Sequence, residues 1–235
     1  MNEFSGELIG TALLVLLGDG VVANVVLKNT KGHGAGWIVI TSGWAMAVFV
    51  GVLVSSKASE AHLNPAVTVA LAIARKFDWN RVPQYVIAQM LGAGLGAILV
   101  WTQYKSHFEI TEDRDAKLAV FCTGPAIRSP ARNLFCEIVG TFVLALAALN
   151  ISSPSGGLGS LDALPVALVV LGIGLSLGGT TGYAINPARD LSPRIMHTLL
   201  PIPGKRDSDW GYAWVPVVGA ILGGALAAFA YRAML

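Results

Sequence analysis

Three segments of this chain occur twice, in the same order. Asn64-Pro65-Ala66 returns as Asn186-Pro187-Ala188 after 122 positions, and Glu7-Leu8-Ile9-Gly10-Thr11 returns as Glu137-Ile138-Val139-Gly140-Thr141 after 130. The glycine-spaced run Gly92-Ala93-Gly94-Leu95-Gly96 returns as Gly219-Ala220-Ile221-Leu222-Gly223 after 127. Such matches mark two homologous halves of one domain, 1–104 and 132–235, joined by a polar segment over 105–131. Each half carries three apolar runs near the length that crosses a hydrocarbon core of ~30 Å, at 4–27, 37–56 and 83–104, then at 132–151, 161–177 and 211–234. Three crossings are an odd number, so the second half runs in the opposite sense to the first, an inverted 3+3 repeat.

Composition supports the membrane. Only 13% of the residues are charged and 54% are hydrophobic, against roughly a quarter charged in a soluble domain. In lipid every backbone polar group needs an internal partner, so the expected fold class is an all-α membrane protein. The net charge of +2 is scattered, with no basic cluster to bind nucleic acid. Cys122 and Cys136 form no CxxC motif, so neither a disulfide framework nor a metal site is expected; no cofactor is expected either. Met1-Asn2-Glu3 lacks the basic start of a signal peptide, and the first apolar run is expected to remain as a helix.

Two further apolar pieces, 64–74 and 186–200, sit between the second and third runs of each half. At about 1.5 Å per residue the first reaches only about half of the core, so both are read as re-entrant half-helices. Asparagine is a favoured N-cap and proline a favoured first helical residue, so each Asn-Pro-Ala declares a helix start. In an inverted repeat the two starts meet end to end near the midplane. Each brings roughly half a positive charge, which repels cations, while the Asn64 and Asn186 amides still offer N–H donors. The approaches, Glu60, Ala61, His62 and Leu63 in one half and Gly182, Tyr183, Ala184 and Ile185 in the other, are expected to be non-helical, with carbonyls lining a wet cavity. A lone Asn-Pro-Ala reads as a capped loop helix; two symmetric ones read as a path.

Arg189 stands three residues after Asn186, where the helix dipole disfavours a cation, and its counterpart in the first half is Val67. A fixed five-donor cation at this depth reads as a functional group that holds hydroxyls and turns away cations and protons; the alternative is an arginine snorkelling to the headgroups. Asp190 suits the dipole as a helix-end acid. Glu7 and Glu137 are read as structural carboxylates that take the unpaired N–H groups of the re-entrant loops. His62 reads as a fixed hydrogen-bonding group, since no second metal ligand stands at suitable spacing. Gly92, Gly96, Gly219 and Gly223, at four-residue spacing, read as helix packing. The segment 105–131 serves either as a plain tether or to shape a mouth of the path.

These residues resemble the major intrinsic protein family, the aquaporins and glycerol facilitators, over nearly the whole chain. The resemblance is carried by Ser59-Glu60-Ala61-His62-Leu63-Asn64-Pro65-Ala66 and by Gly182-Tyr183-Ala184-Ile185-Asn186-Pro187-Ala188-Arg189-Asp190. It implies a narrow selectivity ring of Trp44, Gly174, Tyr183 and Arg189. Gly174 stands where water-selective members usually carry histidine, and Tyr104, Asp190, Arg194 and Pro216-Val217 match the glycerol-conducting branch. Two aromatic walls opposite an arginine suit a polyol, with carbon backbone on one side and hydroxyls on the other. Three positions depart from the usual pattern: Glu60 for a small residue, Asp19 for an apolar one, and Tyr183 for phenylalanine.

The resemblance further implies a homotetramer with one pore per subunit, in the cell membrane, with both termini cytoplasmic. That topology places only Lys57, Arg75, Lys76, Arg81 and Arg232 of the 16 basic residues inside, opposite to the positive-inside bias. The expected function is passive conduction of glycerol, water and other small uncharged solutes, without chemical transformation. Urea, dihydroxyacetone, undissociated lactic acid and hydrogen peroxide remain open as solutes. The competing readings are a water-selective channel, an ion-coupled secondary transporter and a non-conducting scaffold.

Overall fold

The computed structural model describes residues 1–151 and 159–235, and among these it is built from helices without a strand. Helix α1 (Glu3–Val26) begins where the Asn2 side chain accepts from the Ser5 N–H at 2.9 Å. Helix α2 (Trp37–Ser59) leads through a short loop to the half-helix α3 (Pro65–Ile73), and α4 (Val82–Gln103) closes the first half. The segment 105–131 holds two short helices, α5 (Lys105–Ile110) and α6 (Arg114–Ala119). The second half repeats the order with α7 (Pro130–Asn150), α8 (Leu164–Ser176), the half-helix α9 (Pro187–Leu199) and α10 (Trp214–Met234).

Five of these helices are long and apolar enough to cross a membrane, namely α1, α2, α4 with the 3-10 turn ahead of it, α7 and α10. The run at 161–177, read from sequence as a full span, gives a shorter α-helix of 13 residues preceded by a 3-10 stretch, Gly159–Ala163. Pro165 explains the start: lacking an N–H, it is accommodated in the first turn of an α-helix and not further in. Between α5 and α6 and the rest of the bundle the contacts are firm. The Phe121 ring meets that of His197 with centroids 5.6 Å apart, and the Lys28 N–H donates to Thr111 Oγ1 at 2.9 Å. The segment 105–131 is thus folded onto the bundle.

The two halves pack in the same way. Helix α1 lies on α4, and α7 lies on α10. At both crossings the repeated glycines let backbones meet: a Cβ on Gly96 would sit 2.6 Å from the Ala12 carbonyl oxygen, and one on Gly223 would run into the Ile138 carbonyl oxygen. The half-helices cross over, α3 packing on α10 and α9 on α4, so each is held by the last helix of the opposite half. Large apolar side chains such as Ile38, Leu91, Leu95 and Phe229 cover the outer surface, whereas Glu7, Gln89, Glu137, Asp190 and Arg194 lie buried inside. That inversion of a soluble protein's pattern suits a lipid surround.

Candidate functional site

The two half-helices meet through their caps. Asn64 Oδ1 accepts from the Ala66 N–H at 2.8 Å, and Asn186 Oδ1 accepts from the Ala188 and Arg189 N–H groups at 3.0 and 3.3 Å. With its oxygen committed to its own helix, each side chain turns its amide across the centre. Asn64 Nδ2 donates to the Ile185 carbonyl and Asn186 Nδ2 to the Leu63 carbonyl, both at 2.8 Å. Pro65 and Pro187 occupy the first turns, and Ala66 and Ala188 are fully buried, the Ala66 carbonyl running close against Gly224 of α10. Contrary to the expectation of unpaired approach carbonyls, those of Leu63 and Ile185 are taken by the opposing asparagines.

The approach loops are a matched pair in backbone as well. Positions four, three and one before each asparagine have positive φ: Glu60 at 63°, Ala61 at 55° and Leu63 at 51°, then Gly182 at 80°, Tyr183 at 37° and Ile185 at 43°. Non-glycine residues pay about 1 kcal/mol or more for this region, so something must hold the loops. Two carboxylates do. Glu7 Oε1 accepts from the His62 N–H at 2.9 Å and the Ser59 hydroxyl at 2.7 Å, while Oε2 accepts from the Leu63 N–H at 2.8 Å and Gln89 Nε2 at 2.7 Å. In the other half, Glu137 Oε1 accepts from the Thr181 hydroxyl at 2.7 Å and the Ala184 N–H at 3.1 Å, and Oε2 accepts from the Ile185 N–H at 2.9 Å. His62 is locked between Phe77 and Tyr85, its Nδ1 3.1 Å from Thr68 Oγ1.

A cavity of about 870 Å³ runs along these loops. Its lining combines the apolar Leu14, Val48, Val52, Val67, Leu144 and Val170 with the loop residues Glu60 to Asn64 and Tyr183 to Asn186, and with Arg189. Gly182 and Gly174 do not line it. Of the four residues expected to form a ring, Trp44, Tyr183 and Arg189 line this lane. The Arg189 guanidinium lies over the Trp44 indole, 4.0 Å from its centroid, and both residues are buried. Gly174 sits behind Tyr183: a Cβ there would be 3.0 Å from the phenol oxygen and 2.9 Å from Thr41 Cγ2, so the tyrosine fills the room that glycine leaves.

Asp190 does more than face a helix dipole. Its Oδ2 accepts from both the N–H and the hydroxyl of Thr123 at 2.7 Å, and its Oδ1 is paired with the buried Arg194 at 2.8 Å. Arg194 also donates to the carbonyls of Thr123 and Ser208, at 3.0 and 2.8 Å. The segment 105–131 is thereby tied to the residue following Arg189, and its Ala126 N–H donates to the Thr180 carbonyl at 3.0 Å. Of the two readings left open for that segment, the plain tether does not describe it.

The family described as Major intrinsic protein matches residues 1–231. The chain belongs to that family. It is a multi-pass integral membrane protein and a channel rather than an enzyme. It is 56% identical over 232 residues to the "Probable glycerol uptake facilitator protein" of Thermotoga maritima, covering 99% of each chain. It is 55% identical over 233 residues to a glycerol uptake facilitator protein of Streptococcus pneumoniae, covering 98% of each. Among solved structures, the aquaglyceroporin from Plasmodium falciparum superposes with a TM-score of 0.86 at 35% identity, covering 97% of this chain and 94% of that one.

Several residues of this channel's interior were not singled out from sequence. Ser59 and Thr181 each stand four positions before the last loop residue and each donates a hydroxyl to its half's carboxylate, a symmetry visible in the repeat once Glu7 and Glu137 are aligned. Gln89, an amide inside the apolar run 83–104, bridges Glu7 to Thr68. Trp37 Nε1 donates to the Gly174 carbonyl at 2.9 Å and its ring meets Tyr183 edge-on at 5.8 Å, a contact that no local pattern announces.

Proposed function

We propose that the lane is a passive pore for glycerol, water and other small uncharged solutes, and that it excludes ions and protons. The observation that carries this reading is the pair of reciprocal 2.8 Å bonds between Asn64 and Asn186 and the opposing loops. They bring two helix N-termini to one point beside the cavity, where their partial positive charges oppose a cation while their amides and loop carbonyls can exchange bonds with a neutral solute. Trp44, Gly174, Tyr183 and Arg189 are assigned the selectivity ring. A polyol fits between its donors and the aliphatic wall of Leu14, Val48 and Val170. The names of the relatives at 55 and 56% identity favour glycerol among such solutes.

The orientation with both termini in the cytoplasm and a homotetramer of independent pores belong to the same proposal, on family likeness. One observation favours the water-selective alternative: the Tyr183 phenol occupies the space beside Gly174 and so narrows the ring. Stopped-flow light scattering on proteoliposomes separates the two. Glycerol-driven reswelling well above that of empty liposomes supports the polyol pore; fast water flux with no glycerol flux supports the narrower one. Flux that saturates and needs a Na⁺ or H⁺ gradient would instead make the chain a transporter.

A further inference from the structure

Asp19 is an acid inside a membrane-spanning helix. It lies on α1, fully buried, and neither carboxylate oxygen has a hydrogen-bond partner among the described residues. Its nearest opposite charge is Arg189, with Nη1 3.9 Å from Oδ1. Gly18 explains how the two come together. Having no side chain, it lets the Trp44 indole lie flat against α1, and the carboxylate one residue further on reaches the guanidinium at the edge of that indole. No hydrogen bond from the Arg189 side chain to another described residue competes with this pair.

Under the register that aligns Asn64 with Asn186, Arg189 faces Val67; under the register that aligns Glu7 with Glu137, Asp19 faces Leu149. Both members of the pair are absent from the opposite half, and in three dimensions these two breaks of symmetry meet. Other charges nearby are already spent: Asp190 is paired with Arg194, and Glu7 and Glu137 accept from the loops.

We infer that Asp19 is the counter-ion of Arg189 and a specificity-determining residue of the ring, one that cancels the ring's net charge so that it rejects anions as well as cations. A ring with an unopposed guanidinium above two helix N-termini carries positive charge alone, which repels cations and draws anions. A carboxylate held beside the guanidinium removes that attraction while leaving donors on the far edge for solute hydroxyls. The pairing also holds the flat guanidinium against Trp44, so Asp19 acts as a positioning residue.

This inference rests on Arg189 being part of the ring, and the test keeps the two apart. The wild type, Asp19→Asn, Arg189→Val and the double variant are reconstituted into proteoliposomes and assayed for glycerol flux, for proton flux under a K⁺ diffusion potential, and for nitrate flux with valinomycin present. Arg189→Val leaves a buried carboxylate beside the lane without its opposite charge and is expected to leak protons; adding Asp19→Asn lowers that leak about tenfold, a modest effect for a unit charge at this range in a partly wet site. Asp19→Asn alone raises nitrate flux about tenfold over the wild type. Equal proton leak in Arg189→Val and the double variant overturns the inference. Should Arg189→Val fail to reconstitute, nitrate flux decides alone, and an Asp19→Asn value equal to wild type overturns it. A wild type that conducts no glycerol sinks the pore reading itself, whatever Asp19 does.

Discussion

Replacing Glu137 by glutamine changes one oxygen for an amide and nothing in shape, so its effect isolates what the carboxylate does. In the native loop both oxygens are acceptors, for Thr181 and Ala184 on one side and Ile185 on the other, at 2.7, 3.1 and 2.9 Å. Whichever way a glutamine amide is turned, its NH₂ faces a backbone N–H. One buried donor then loses its acceptor at a cost of about 1–3 kcal/mol, and each remaining bond loses charge assistance worth about 1 kcal/mol. The total is about 3–5 kcal/mol, roughly a hundred- to several thousand-fold in favour of a loosened loop. Tyr183 and Ile185, held at φ of 37° and 43°, relax in the same direction. Glu137→Gln is therefore expected to lower the melting temperature of the detergent-solubilised protein by several degrees and to collapse glycerol flux in proteoliposomes. Thr181→Val, which removes a single hydroxyl donor, should show a smaller loss in both assays. A Glu137→Gln protein with wild-type flux and wild-type melting would refute the claim that the carboxylate holds the loop.

Glu7→Gln should cost about as much as Glu137→Gln, because the His62 or the Leu63 N–H loses its acceptor whichever way the amide turns, while Gln89 Oε1, without a partner among the described residues, can turn to accept from the new amide; the same melting measurement compares them. Combining Gly174→His with Tyr183→Phe should depress glycerol flux far more than water flux, since the added imidazole outweighs the one hydroxyl removed and narrows the proposed ring; equal loss of both would contradict the ring assignment. Gly96→Val should disrupt the α1–α4 crossing, where even a Cβ would lie 2.6 Å from the Ala12 carbonyl, and appear as loss of folded protein on size-exclusion chromatography. Glycerol flux should rise linearly with its gradient and ignore imposed Na⁺ or H⁺ gradients, as a pore requires and a coupled transporter does not.

Much of the fold was legible because membrane helices are written in long apolar runs, and because a repeated cap motif leaves a mark that packing cannot erase. The half-helices, the membership of the two loops and the involvement of Glu7 and Glu137 all follow from that repetition together with the rule that lipid satisfies no backbone group. The shortness of α8 was written less clearly, since hydropathy registers an apolar run whether or not Pro165 permits α-helix at its start.

What the chain alone determined is the set of local commitments: where helices begin, which faces avoid water, and that two halves oppose each other. Only the tertiary structure decided the pairings across distance. That each asparagine amide crosses to the other half's loop, that Tyr183 fills the space beside Gly174, and that Asp19 comes to lie 3.9 Å from Arg189 depend on how closely glycine-faced helices approach. Local propensity carries no information on such distances, because a side chain 170 positions away exerts no force until packing has brought it within contact range.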